Sequence, residues 1–85
     1  MYYFYVLRFK NSGKLYKGYT NDLKRRIKEH NLGNSTFTSQ NGNFDLVFYE
    51  AFINKKDAQE AERYFKSGHG REVLNSKLEN YLGSL

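Results

Sequence analysis

The sequence contains no cysteine. Neither a disulfide framework nor a thiolate metal site can therefore hold the fold together. That absence fits a reducing cytoplasm, which is the expected location. No apolar run approaches the roughly 20 residues of a membrane-spanning helix, and no membrane partner is expected. The opening stretch, Met1-Tyr2-Tyr3-Phe4-Tyr5-Val6-Leu7, has no cationic residue ahead of its apolar part. It is too short and too aromatic for a secretory signal and reads as a strand. No linker, low-complexity segment or internal repeat interrupts the chain, and its 85 residues fit one domain, 1–85. Tryptophan is missing too, but eight Tyr and seven Phe bring large apolar area per residue. A domain this small buries a modest fraction of its surface and needs such an efficient core.

Acidic residues are almost missing from one segment. Between Arg8 and Lys28 lie Arg8, Lys10, Lys14, Lys17, Lys24, Arg25, Arg26 and Lys28, against Asp22 alone. That segment carries about +7 of a chain whose net charge is +5, and the remainder about −2. A basic half on a small domain suits a polyanionic partner. Charge alone fits a solvated basic face equally well.

Residues Tyr2 to about Phe9 are aromatic or β-branched enough for a strand, apolar on both faces and so central in its sheet. Asn11-Ser12-Gly13 is a turn signal, and Lys14 to Tyr19 reads as the second strand of an antiparallel hairpin. Thr20, Asn21 and Asp22 offer N-caps for a helix to about Asn31, which Gly33 ends. The polar stretch from Ser35 to Asn43 reads as a loop, and Phe44 to Phe52 as the third strand. Asn54 caps a second helix over about Lys55–Lys66. Ser67-Gly68-His69-Gly70 breaks it, and a last helix runs from Arg71 to about Leu82. The expected fold is α+β: a small three-stranded antiparallel sheet flanked by helices, in the order β-β-α-β-α-α.

Several residues depart from this pattern. On the second helix, Ala58, Ala61 and Phe65 mark the core side, and Glu62 lies on the same side. A partly desolvated carboxylate there needs an Arg, a backbone donor or a metal, unless it escapes to water at the rim. On the first helix, Leu23 and Ile27 mark the inner stripe, flanked by Arg26 and His30. An inward guanidinium can clamp a phosphate, or it can pair with the sheet or with Glu62. His30 can carry protons, or be a satisfied structural histidine. Tyr16 and Gly18 share a face with Tyr5 of the neighbouring strand. Glycine inside a strand marks close approach of a ligand or another backbone, and the bland reading is a buried aromatic pair.

Taken together, these residues resemble the GIY-YIG endonuclease family. Tyr3-Phe4-Tyr5 stands at the first family triplet and Tyr16-Lys17-Gly18 at the second. Arg26 follows at the family's spacing, with His30 one turn later, and Glu62 matches the acidic position on the later helix. The stretch from Tyr16 to Arg26 carries the most specific part. Lys66-Ser67-Gly68-His69-Gly70-Arg71 looks like the small stand-alone branch. The likeness covers nearly the whole chain. The first triplet keeps only its final Tyr, and Lys17 replaces the usual Ile or Val. For the family's active-site Asn, Asn75 and Asn80 qualify by type only.

The resemblance implies a metal-dependent endonuclease acting on DNA, in repair or recombination. Glu62 would hold one divalent cation, Mg²⁺ or Mn²⁺. Arg26 would neutralise phosphoryl charge, and Tyr16 would take a proton from water, with Tyr5 or His30 positioning it. Lys17, Lys24, Arg25 and Lys28 would contact phosphates, and specificity would come from substrate shape or a protein partner. The rival expectations are an inactive nucleic-acid-binding module and a plain protein-interaction domain.

Overall fold

The computed structural model describes residues 1–33 and 41–85. Part of the polar loop expected from Ser35 to Asn43 lies outside the described residues. Three strands, β1 (Tyr2–Phe9), β2 (Leu15–Thr20) and β3 (Phe44–Phe52), form one antiparallel sheet in the order β2-β1-β3. β1 is central, as its two apolar faces require. Its burial confirms this: Phe4, Tyr5, Val6, Leu7 and Phe9 are all buried. A register shift between Val6 and Leu7 leaves Val47 as the extra residue of a bulge on β3. Gly13 takes the left-handed conformation that closes the β1–β2 turn.

The helices are α1 (Leu23–Asn31), α2 (Lys55–Lys66), α3 (Gly68–Lys77) and α4 (Glu79–Gly83). Asp22 caps α1 by accepting from the Arg25 amide at 3.1 Å, and Asn54 caps α2 by accepting from the Lys56 amide at 2.8 Å. Helix α2 packs against all three strands. It buries Phe65 on Phe4, with ring centroids 4.9 Å apart, and joins Val6, Leu74 and Leu78 in the main core. The opposite face of β1 presents Tyr5, Leu7 and Phe9, and there α1 places its buried residue, His30. Among the described residues, no helix is long and apolar enough to cross a membrane.

The C-terminal helical segment differs from expectation at its start and in being divided. It starts at Gly68, three residues before Arg71, because Ser67 is an N-cap. The Ser67 hydroxyl accepts from the Gly70 amide at 3.1 Å and donates to the Tyr64 carbonyl at 2.6 Å. The serine therefore ends one helix and starts the next, and what resembled a four-residue breaker is a one-residue hinge. The segment then divides at Leu78, whose backbone (φ −101°, ψ 14°) leaves helical geometry. Gly70 explains why the two helices can sit so close. A Cβ there would strike the Tyr64 carbonyl oxygen and come within 2.8 Å of the Phe65 Cα.

This gives a paired test. Gly70→Ala should destabilise the fold by about 1–3 kcal/mol, the usual range for overpacking. Gly68→Ala meets nothing within 4 Å and should be neutral, or stabilising by about 0.4–1 kcal/mol. Urea unfolding of both variants checks the pair, and equal effects would contradict it.

Candidate active site

Register decides which side chains meet. Tyr5 opposes Gly18, and Leu7 opposes Tyr16, so Tyr5, Tyr16 and Gly18 share the sheet face that carries α1. The Tyr5 ring leans across β2 and occupies the space above Gly18. A Cβ at Gly18 would fall 2.5 Å from both the Cζ and the hydroxyl oxygen of Tyr5. The close approach anticipated at this glycine is thus made by a tyrosine of the same protein. It aims the phenol at α1.

There the Tyr5 hydroxyl meets His30 Nε2 at 2.9 Å. His30 is 2% exposed. Tyr16 packs edge-on to its ring at a centroid distance of 5.2 Å, and Phe44 does so at 6.0 Å. His30 Nδ1 has no hydrogen-bond partner among the described residues. One turn earlier on α1, Arg26 is 30% exposed and pairs with Glu29 at 3.3 Å, while its guanidinium also reaches the Tyr5 and Tyr16 hydroxyls. The Arg26 counterion is therefore on its own helix, neither on the sheet nor at Glu62. The sequence signal for Glu29 was its opposite charge at i+3 from Arg26.

The proton arrangement follows from donor and acceptor chemistry. A guanidinium only donates, so the Tyr5 oxygen accepts from Arg26, and the Tyr5 hydroxyl is also hydrogen-bonded to His30 Nε2 and to Tyr16. The electrostatics agree. Burial, the largest influence, pushes the Tyr5 phenol up to about 12; Arg26 opposes the rise and Tyr16 adds to it. Burial and the Arg26 charge push the His30 imidazole below its usual range, with Glu29 acting weakly the other way. For Arg26, burial acts to lower the pKa, but the bonds to Tyr5, Tyr16 and Glu29 outweigh it and hold the group charged. The cluster therefore has one fixed cation, one phenol held protonated, one neutral imidazole and Tyr16 beside them.

Of the basic residues singled out in the sequence, Lys24, Arg25 and Lys28 are exposed on α1, and Arg25 donates to Asn21 Oδ1 at 3.3 Å. Lys17 is not with them. It opposes Val6 and so lies on the other sheet face, under α2. Glu62 is on α2 as well. Its side chain is 28% exposed, and its Oε2 accepts from Lys66 at 3.1 Å. Glu62, Gln59, Arg63 and Lys66 line a shallow polar depression. Asn75 and Asn80 are exposed on α3 and α4. A concavity between the start of α1 and the sheet is lined in part by Leu23, Ile27, Tyr3, Leu46 and Tyr49, and includes none of Tyr5, Tyr16, Arg26 or His30.

No three His, Cys, Asp or Glu side chains converge among the described residues, so a caged metal site is not built there. A lone carboxylate is different. Glu62 has one oxygen engaged by Lys66, and a carboxylate completed by waters is a donor set that Mg²⁺ accepts.

A model of the GIY-YIG catalytic domain matches residues 1–80. A UPF0213 protein of Clostridium perfringens is 45% identical over 80 residues, covering 93% of this chain and 81% of its own length. The UPF0213 protein YazA of Bacillus subtilis is 42% identical over 82 residues, covering 95% and 77%. The solution NMR structure of a UPF0213 protein from Bacillus halodurans superposes with a TM-score of 0.55 at 40% identity, covering 89% of this chain and 84% of that one.

The neutral, buried His30 makes stability depend on pH. Below the unfolded-state pKa of about 6.5, the unfolded chain binds a proton that the folded one refuses, so stability falls as pH falls. Calorimetric Tm should therefore drop between about pH 7 and pH 5, above the range where carboxylates dominate. The double substitution Tyr5→Phe, His30→Phe should flatten that slope. An unchanged slope would contradict the arrangement.

Proposed function

The chain belongs to the GIY-YIG family, a family of nucleases, and on that premise we propose that it is a metal-dependent endonuclease hydrolysing DNA phosphodiester bonds. The observation that carries the reading is the convergence of Tyr5, Tyr16, Arg26 and His30 on one sheet face. A general base must stand within reach of the reacting water. Tyr5 is held protonated, and the Nε2 of His30 is taken by Tyr5. Tyr16, beside them at the second family triplet, would take the proton of the attacking water. Arg26 neutralises charge developing on the phosphoryl oxygens. Glu62 would hold the cation, Mg²⁺ or Mn²⁺, which when bound polarises the phosphate and stabilises the leaving 3′ oxygen.

Lys24, Arg25 and Lys28 contact backbone phosphates from α1, and Lys17 does so from the opposite face. Such contacts carry no sequence information. Target choice then rests on DNA shape or on a protein partner, in cytoplasmic repair or recombination. The Glu62–Lys66 pair favours one second reading, a nucleic-acid-binding module that does not cleave.

A nicking assay on plasmid and branched DNA separates them. Mg²⁺-dependent nicking that EDTA abolishes is expected. Tyr16→Phe and Glu62→Gln should each slow it by on the order of 10²-fold or more, and Arg26→Ala by about 10²–10³-fold. Undiminished cleavage by both Tyr16→Phe and Glu62→Gln would sink the mechanism. Salt-sensitive binding without nicking would support the second reading.

A further inference from the structure

Lys17 is a half-buried basic residue of β2 on the sheet face that α2 covers. It opposes Val6 in the register, and α2 packs over β2 there. A half-buried lysine in such a position calls for a counter-ion. What surrounds it instead is more positive charge. Lys66, at the end of α2, and Arg71, in the first turn of α3, both lie near enough to act on it, and burial together with their charges pushes its pKa down. Of the three, Lys66 is already paired, with Glu62 at 3.1 Å. Among the described residues neither Lys17 nor Arg71 has an ion-pair partner, an arrangement that costs folding free energy.

The local architecture holds this crowd together. Ser67 caps α3 directly after Lys66, and Gly70 lets α3 approach the Tyr64 carbonyl. Both features bring Arg71 back towards the end of α2. The stretch from Lys66 to Arg71, which the residues around Tyr16 leave unexplained, thereby acquires a physical purpose.

We propose that Lys17, Lys66 and Arg71 form a phosphate-binding cluster on the Glu62 side of the sheet, so that a nucleic-acid strand passes over the edge strand β2. Arg26 meets the strand on one side of that edge, and the three cations meet it on the other. This rests on the nuclease reading above and adds its second set of phosphate contacts. The missing counter-charge is the polyanion. An edge strand suits the role because, among the described residues, no further strand covers β2. Tyr16 and Lys17, adjacent in sequence, then serve opposite sides of one substrate backbone. Lys66 trades its carboxylate partner for a phosphate, which leaves Glu62 free for a cation.

The test is a salt titration of DNA affinity by fluorescence anisotropy in EDTA, with the full chain and a branched DNA of fixed sequence. Lys17→Ile and Arg71→Gln should each lower the slope of log K against log salt by about 0.9, and together by about twice that. The loss should be the same for unrelated DNA sequences. Lys10→Gln, whose lysine pairs with Asp45 at 3.7 Å, should leave the slope unchanged. Lys17→Ile should also unfold at a higher temperature than the parent, because it removes a buried charge from like neighbours. A merely structural Lys17 would instead lose stability and keep the slope. Wild-type binding with unaltered slopes in Lys17→Ile and Arg71→Gln overturns this proposal alone. A wild-type chain that binds no DNA overturns it together with the nuclease reading.

Discussion

The Tyr5–His30 hydrogen bond is the contact on which the candidate site depends. Helix α1 has nine residues, too few to be stable alone in water, and His30 is the residue it buries. Leu23 and Ile27 on the same helix are only half-buried. Docking of α1 therefore runs through an imidazole sealed among Tyr5, Tyr16 and Phe44. Arg26 inherits its position from that anchor, one turn away. A buried polar pair in a low-dielectric setting is costly if half-made and rigidifying if complete. Gly18 makes this pair possible, since any side chain there would displace the Tyr5 ring.

Much of this was readable from residue patterns. The two-sided apolarity of Tyr2 to Phe9 identified a central strand, and Asp22 and Asn54 announced their helices. The i, i+4 spacing of Arg26 and His30 placed both beside the inner stripe of α1, and strand alternation placed Tyr16 with Gly18 and Tyr5. The roles inside the cluster were not readable. Which phenol stays protonated depends on burial and on the direction of an arginine side chain, and both are three-dimensional. The same alternation that groups Tyr16 with Gly18 sends Lys17 to the other face, yet its neighbours Lys66 and Arg71 arrive only through the packing of α2 and α3. The start of α3 was hidden for a related reason. Ser-Gly-X-Gly is compatible with a loop and with a cap followed by a close approach, and only the Tyr64 carbonyl decides between them.

Glu62 was expected on an inward helix face and is half-buried there, with Lys66 as its partner. Tyr16 belongs to one sheet face and Glu62 to a helix covering the other, with the exposed edge of β2 between them. A ligand engaging both must cross that edge. Such an arrangement suits an extended polyanion better than a small molecule held in a pocket.

The central claim is that the buried frame of Gly18, His30 and Arg26 fixes Tyr5 as a protonated phenol. Ring ¹³Cζ resonances of labelled tyrosines, followed by NMR through alkaline pH, address this directly. A free phenol is half-ionised at about pH 10. Tyr5 should remain protonated there in the folded chain, ionising only at about 12. A Tyr5 resonance that titrates at the free-phenol midpoint would contradict the account.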